Sequence, residues 1–195
     1  VTVATNMKFF FENQNIIKDS HPLRFRFNKT HVIDVAKLDK FINMSAASTF
    51  FRVSHIKKQN LVFDHNVKPN FEDGKFIADY LLDLQDAKAV FDRDAVYFYR
   101  KRESGTSTLD TSWQKVEKFS NVFEYGFLPM LKNYKNRLGY VPSSIQKTAL
   151  YDMAWYIQQL LNRPERLDLL NTKQKSHFYD LMQQVFDYID QKNIM

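Results

Sequence analysis

The hydrophobic pattern changes partway along this 195-residue chain, and the change limits the folds that the chain can adopt. Up to about Tyr99, short apolar runs alternate with polar turns, which is typical of β-strands. Between Asp73 and Leu84 the apolar residues recur at helical spacing, which predicts one helix within this part. The predicted strands are Leu23–Phe27, His31–Val35, Thr49–Val53, Leu61–Phe63, Ala87–Phe91 and Ala95–Arg100, the last two joined by a turn at Asp92-Arg93-Asp94.

Beyond Gly105 the apolar residues follow a helical period. We expect a first helix capped by Thr111 or Ser112, which Pro129 should kink or end. Pro142 is placed for the first turn of a second helix, and Thr172 caps a third. The sequence therefore predicts an α/β part over residues 1–108 and a C-terminal helical bundle over residues 109–195, joined by a short polar linker, Glu103–Thr108.

Composition excludes several classes of site. No cysteine is present, which excludes disulfides and thiolate metal sites and suits a reducing cytoplasm. The four glycines cannot form a phosphate-binding loop. No apolar run approaches the roughly 18 residues that span a bilayer, and no signal peptide is visible. The net charge of +6 fits an anionic ligand, a polyanionic acceptor or an anionic membrane surface, and equally fits simple solubility.

Three segments carry the strongest information about function. Phe63-Asp64 ends a strand-like run and leads to Glu72-Asp73, which opens the predicted helix. Upstream lies a run of small residues, Ser45-Ala46-Ala47-Ser48-Thr49-Phe50-Phe51. Downstream lies a basic strand end, Tyr97-Phe98-Tyr99-Arg100-Lys101-Arg102. In order and spacing, these segments resemble those of family-2 glycosyltransferases over about residues 40–108. Residues 1–40 and the helical tail are similar to the subset that builds bacterial wall and capsule polymers.

The resemblance implies part of an inverting transferase with the GT-A mixed sheet. Its donor would be a nucleotide sugar, and its acceptor a cell-surface polysaccharide or a teichoic-acid-like polyol phosphate. The family's metal motif and nucleotide-binding units should lie before residue 1. We therefore expect no cofactor within this chain, Mg²⁺ or Mn²⁺ in the full-length enzyme, and no activity from the chain alone. We expect a cytoplasmic location, with peripheral binding at the inner face of the membrane as an alternative.

The resemblance nominates Asp73, with Glu72 beside it, as the catalytic carboxylates. An inverting transfer needs a base that takes the proton from the acceptor hydroxyl as its oxygen attacks the anomeric carbon. The alternative is that both acids merely favour a helix N-terminus.

Further candidates would contact substrate. Arg100, Lys101 and Arg102 form a basic strand end that suits phosphate binding, or that is simply solvated. His21 and Arg24 could line the acceptor groove, although an exposed loop position is the simpler interpretation for the histidine. Ser48, in the small-residue segment, is a further substrate-binding candidate.

Other functions remain as alternatives. The chain could be a non-catalytic basic binding module, or its amphipathic helices could form a homo-oligomer. Nucleic-acid binding is disfavoured because the basic residues are dispersed and most aromatics fall at core spacing. Asp92-Arg93-Asp94 matches a metal motif literally, but it follows the Glu-Asp helix and lies in a predicted turn, so we predict no metal site there. The five histidines show no zinc-binding spacing.

Overall fold

The computed structural model describes residues 1–102 and 111–194, and it has the mixed α/β class that the sequence predicts. A curled mixed sheet carries helices on its flank and is followed by further helices. The strands are β1 (Thr2–Phe11), β2 (Ile16–Lys18), β3 (His31–Asp34), β4 (Thr49–Phe51) and β5 (Lys88–Lys101). The α-helices are α1 (Val53–Gln59), α2 (Glu72–Leu82), α3 (Leu128–Leu138), α4 (Ser143–Asn162), α5 (Thr172–Phe186) and α6 (Gln191–Ile194).

Strand β1 lies at the centre of the sheet. It pairs in parallel with β5 along one edge, and antiparallel with β4 and β2 at successive positions along the other; β3 then pairs antiparallel with β5. Strand β1 is not among the predicted strands, because the polar pair Thr5 and Asn6 interrupts its apolar residues. Both of these side chains are buried, so the strand passes through the interior in spite of them.

Strand β5 is continuous, so the prediction of two strands joined by a turn at Asp92-Arg93-Asp94 is wrong. Thr5 pairs with Asp92 and Asn6 with Val96, which leaves the three residues between them as a bulge. The Asp92 carboxylate accepts a hydrogen bond from the Asp94 amide at 3.0 Å. This hydrogen bond satisfies the Asp94 amide within the bulge, so the strand continues without a chain reversal.

Two other predicted strands are also wrong, whereas those at His31 and Thr49 are confirmed with shorter ends. Arg24–Phe27 is a 3₁₀-helix, because the Arg26 guanidinium is buried and donates to the carbonyls of Leu23 and Ile42. Leu61–Phe63 lacks strand structure: the Leu61 amide bonds the Ile56 carbonyl at the end of α1.

Helix α2, predicted from residue 73, is confirmed and lies between two hydrophobic clusters. Its residues Ile77, Tyr80 and Leu81 pack with the sheet. Ala78 packs with a cluster formed mainly by the C-terminal helices, to which Val67 and Phe71 also belong. One helix therefore joins both cores. The predicted domain boundary at residue 108 and the linker Glu103–Thr108 lie outside the described residues, so the division into two domains stays a prediction.

The C-terminal helices agree only partly with expectation. Instead of one helix ended by Pro129, short 3₁₀ segments and a π-helix (Val122–Phe127) precede α3. Pro129 is the second residue of α3, directly after the π-helix, so the helical backbone continues past the proline instead of ending there. Helix α4 follows Pro142 as predicted. The cap of α5 is Asn171, one residue before the predicted Thr172, and it forms a capping box with Gln174.

Candidate active site

Asp73 lies in the first turn of α2, beneath the small-residue loop 45–48. Its Oδ2 accepts a hydrogen bond from the Ala46 amide at 3.0 Å, and the Ala47 amide also donates to this carboxylate. Burial raises the pKa of Asp73, although the two backbone hydrogen bonds oppose the shift. The carboxylate is therefore fixed by backbone donors while its proton affinity is higher than that of an ordinary aspartate.

The loop that holds Asp73 is itself bound to β1. The Thr5 amide and hydroxyl both donate to the Ser48 carbonyl, each at 2.9 Å. Within the loop, the Ser48 hydroxyl donates to the Ser45 carbonyl at 3.3 Å, and its side chain is buried. The structure thus places Ser48 in the loop that contacts Asp73, with its hydroxyl bonded to the loop backbone. Its role towards substrate stays a prediction.

Glu72 is half-buried beside Asp73, and Asp152 of α4 lies close to it. Burial raises the pKa of Glu72, and the negative charges of Asp73 and Asp152 raise it further. Burial likewise raises the pKa of Asp152, while Lys118 and a hydrogen bond from Asn70 lower it. The site therefore contains a third carboxyl group, supplied by the C-terminal helices.

A buried lysine lies next to these acids. Lys118 is 3% exposed, and its Nζ donates to Oδ1 of Asn70 at 2.7 Å. The ammonium group lies 4.7 Å from the ring centre of Trp113 and 4.6 Å from that of Tyr156, in cation–π contact with both. Burial lowers the pKa of Lys118, and the charge of Asp152 partly opposes this. A cation enclosed by aromatic rings is thus hydrogen-bonded to Asn70, which lies two residues before Glu72.

Sequence reasoning missed Asn70, Lys118 and Asp152. A signal was present: Asp152 is three residues after Ala149 and four before Tyr156, which places a charge on the apolar face of its helix. Charged residues on such a face need a partner, and this partner is distant in sequence.

Two predicted substrate residues, His21 and Lys101, come together near the end of β5. The His21 ring centre is 5.8 Å from that of Phe9, and the Lys101 ammonium is 5.2 Å from the same ring. The pKa of His21 is lowered to about 4, chiefly by burial and also by the charges of Arg26 and Lys101. Its Nδ1 accepts a hydrogen bond from the Leu23 amide at 3.1 Å. Histidine 21 is therefore a half-buried, neutral ring and not the exposed loop residue considered above.

The remaining predicted contacts are exposed. Arg100 forms an ion pair with Glu12, so its guanidinium already has a protein partner. Arg102 and Arg24 are exposed, Arg24 within the 3₁₀-helix.

A row of electrostatic neighbours joins the His21 group to the acids of α2. The charge of Arg26 lowers the pKa of both His21 and Tyr151, and Asp152 raises the pKa of Tyr151. Because Asp152 also acts on Glu72, His21 and Glu72 lie at the two ends of this row.

Residues 1–102 and 111–194 contain no group of three histidine or acidic side chains placed to hold a metal ion. Asp92 and Asp94 bond within the β5 bulge, as described above. The Mg²⁺ or Mn²⁺ that the resemblance implies therefore has no fitting ligand set in this part of the chain. Within the same ranges, no helix has the length and hydropathy to cross a bilayer.

No family model matches the chain. Over 185 residues it is 29% identical to the minor teichoic acid biosynthesis protein GgaB of Bacillus subtilis (strain 168), covering 93% of this chain and 19% of that protein. Over 171 residues it is 27% identical to the minor teichoic acid biosynthesis protein GgaA of the same organism, covering 87% of this chain and 37% of that protein. The chain thus spans about a fifth of the length of GgaB and under two fifths of the length of GgaA. It is similar to both over most of its own length.

Proposed function

We propose that this chain is the acceptor-side part of a glycosyltransferase that acts in the synthesis of a teichoic-acid-like wall polymer. Similarity to two teichoic acid biosynthesis proteins supports the polymer class. The observation that carries the proposal is the Asp73 carboxylate, which two backbone amides hold in the first turn of α2 and whose pKa burial raises. Such a group suits a general base, because its pKa is closer to neutral pH than that of an exposed aspartate.

In the proposed reaction, the acceptor hydroxyl oxygen attacks the anomeric carbon of a nucleotide sugar. The new C–O bond forms as the bond from that carbon to the diphosphate oxygen breaks, so a single displacement inverts the anomeric configuration. Asp73 takes the hydroxyl proton, and the bond electrons leave with the nucleoside diphosphate. The Ala46 amide donates to Oδ2, which fixes the orientation of the carboxylate. Glu72 is half-buried beside it and adds negative charge, which favours proton uptake at the pair.

The acceptor in this proposal is a polysaccharide or polyol phosphate. The net charge of +6, together with Lys101, Arg102 and Arg24, supports an anionic polymer or an anionic membrane surface as a partner. Arg100 would have to release Glu12 before binding phosphate. The proposed location is the cytoplasmic side of the membrane. Mg²⁺ or Mn²⁺ and the nucleotide would be bound by other parts of a longer protein.

The test is a transfer assay on the full-length parent protein. We would measure nucleoside diphosphate release with a panel of nucleotide sugars and polyol phosphate acceptors, and determine the anomeric configuration of the product by NMR. We expect Asp73→Asn to lower kcat by about 10²- to 10⁴-fold, the range for loss of a positioned base. Asp86→Asn, the same change at an exposed aspartate, is the control and should leave kcat unchanged.

Three results would contradict the proposal: an active parent whose Asp73→Asn variant keeps its activity, a product with retained configuration, or no transfer from any nucleotide sugar. Acceptor charge is tested separately. Transfer to a polyol phosphate should weaken with added salt, whereas transfer to a neutral acceptor should not. Equal transfer to both acceptors without salt dependence would argue against an anionic polymer.

A further inference from the structure

The segment that precedes the Glu72-Asp73 pair is held by the C-terminal helices through two kinds of contact. Phe71 has a φ of 80°, in the left-handed region that a bulky residue rarely adopts. Its ring is packed between Gly74, Gly126 and Phe127, with the Phe71 and Phe127 ring centres 4.4 Å apart. Surrounding contacts must maintain such a backbone, and two of these three residues have positions far along the chain.

The second contact is polar and involves the residue before Phe71. Asn70 is buried; its Oδ1 accepts from Lys118 at 2.7 Å and its side chain donates to Asp152. Its amide group therefore links a cation to an anion. Tyr156 of α4 donates to the Lys118 carbonyl at 2.8 Å, which fixes the backbone that carries the lysine. The second oxygen of Asp152, Oδ2, is shielded from solvent and has no hydrogen-bond partner within the described residues.

The Lys118 ammonium group is not solvated like that of a surface lysine, because the residue is 3% exposed and two aromatic rings enclose the charge. A buried charge of this kind is costly unless it is paired and hydrogen-bonded. The described groups that compensate it are Asn70, Asp152 and the faces of Trp113 and Tyr156. This arrangement is stable only when the helix start and the C-terminal helices are in the observed register.

We propose that Lys118, Asn70 and Asp152 are positioning residues through which the C-terminal helices fix the start of α2, and with it the Glu72-Asp73 pair. This inference rests on the proposed function. It assigns the C-terminal helices a part in catalysis beyond tethering or oligomerisation. None of the three residues has to touch substrate, because they act through the backbone at Asn70 and Phe71 and through the charge of Asp152 on Glu72.

The first experiment compares Lys118→Met with wild type in the full-length protein. Methionine keeps an unbranched stem but removes the charge and the bond to Asn70. We expect kcat to fall about tenfold to a hundredfold, the scale of a small misplacement of reacting groups, with KM for both substrates within about twofold. Lys115→Met is the matched control, because Lys115 is exposed in the same stretch. Lys118→Arg, which keeps a cation over the rings, should retain more activity than Lys118→Met.

The second experiment does not depend on transfer activity. Carboxyl ¹³C NMR titration of this chain would follow Asp152 and Glu72. The charged or titratable neighbours of Asp152 are Lys118 on the preceding 3₁₀ segment, Glu72 on α2, and Tyr151 and Tyr156 on its own helix. Because Lys118 lowers the pKa of Asp152, Lys118→Met should raise it. Asp152→Asn should lower the pKa of Glu72, because it removes a neighbouring negative charge.

The outcomes separate the two proposals. An inactive wild-type parent refutes the proposed function, and the positioning role in catalysis falls with it. An active parent in which Lys118→Met keeps kcat and leaves the Asp152 titration unchanged overturns the positioning inference alone. A large rise in KM with unchanged kcat also overturns it, because that result means that Lys118 binds substrate. If Lys118→Met does not fold, the decision passes to Lys118→Arg and to the Asp152→Asn titration, where no change in the pKa of Glu72 would count against the inference.

Discussion

Phe71 lies so close to Gly126 that a Cβ added at Gly126 would come within 2.9 Å of the Phe71 Cδ1 atom. The two residues are 55 positions apart, and their contact joins the residue before Glu72 to the π-helix (Val122–Phe127) that leads into α3. Both residues are buried, so neither can move aside into solvent.

We therefore expect Gly126→Ala to destabilise the fold by about 1–3 kcal/mol through overpacking against Phe71. Urea unfolding followed by circular dichroism would measure the change. Gly139→Ala is an informative comparison, because nothing lies within 4 Å of its added Cβ and only its φ of 80° opposes the side chain. Gly139→Asn should cost less than Gly139→Ala, since Asn tolerates this conformation better. At Gly126 the order should reverse, because the larger Asn side chain would overpack further against Phe71.

Tyr134 ties α3 to α2 by donating a hydrogen bond to the Ala78 carbonyl at 2.8 Å in the buried core. Tyr134→Phe removes the donor and leaves a buried carbonyl with one partner fewer, so we expect a loss of about 1–2 kcal/mol in the free energy of unfolding. Tyr140→Phe is the matched control, because Tyr140 is 55% exposed and should change stability little. Equal effects of the two substitutions in urea melts would contradict this account.

Glu72 gives a pH-dependent prediction. Its folded pKa is raised, chiefly by burial, so its contribution to stability is complete below the ordinary carboxyl pKa of about 4.3 and is lost as the pH rises through the folded value. Glu72→Gln removes this loss. The variant should match wild type near pH 3.5 and become more stable by up to about 1 kcal/mol near neutral pH. Exposed Glu117→Gln serves as the control, and a stability difference that does not vary with pH would exclude the explanation.

His21 gives a prediction of the opposite sign. Its folded pKa is lowered from 6.5 to about 4, so its contribution to stability is present above pH 6.5 and is lost as the pH falls through 6.5 towards 4. His21→Asn keeps an acceptor for the Leu23 amide but cannot be protonated. Between pH 7 and pH 4, wild type should lose about 1–3 kcal/mol relative to this variant. Thermal melts at both pH values would measure it, with His65→Asn, at an exposed histidine, as the control.

Local patterns predicted the elements whose residues decide their own conformation. Helix α2 was predicted because Phe76, Ile77, Tyr80 and Leu81 recur at helical spacing, and all four are buried. Helix α4 was predicted because Pro142 marks its start. The Glu-Asp pair was nominated by the resemblance of its flanking segments to family-2 glycosyltransferases, and the structure puts it in the first turn of α2.

Local patterns failed where burial of polar groups depends on distant partners. Thr5 obscured β1, yet its amide and hydroxyl bond the Ser48 carbonyl, 43 residues away. The two strands predicted on either side of Asp92-Arg93-Asp94 are one strand, because pairing with β1 continues across a bulge. The sequence of this bulge resembles that of a turn.

Residue periodicity over a few turns or strands is enough to predict the mixed α/β class, the helical character of the C-terminal part and the helix that Glu72 and Asp73 open. Which charges become buried together depends on how distant segments pack. Lys118 and Asn70 are 48 residues apart, and Asp152 lies on a third segment. The free energy of a buried charge depends on the groups around it, so its role is fixed only when those segments pack against one another.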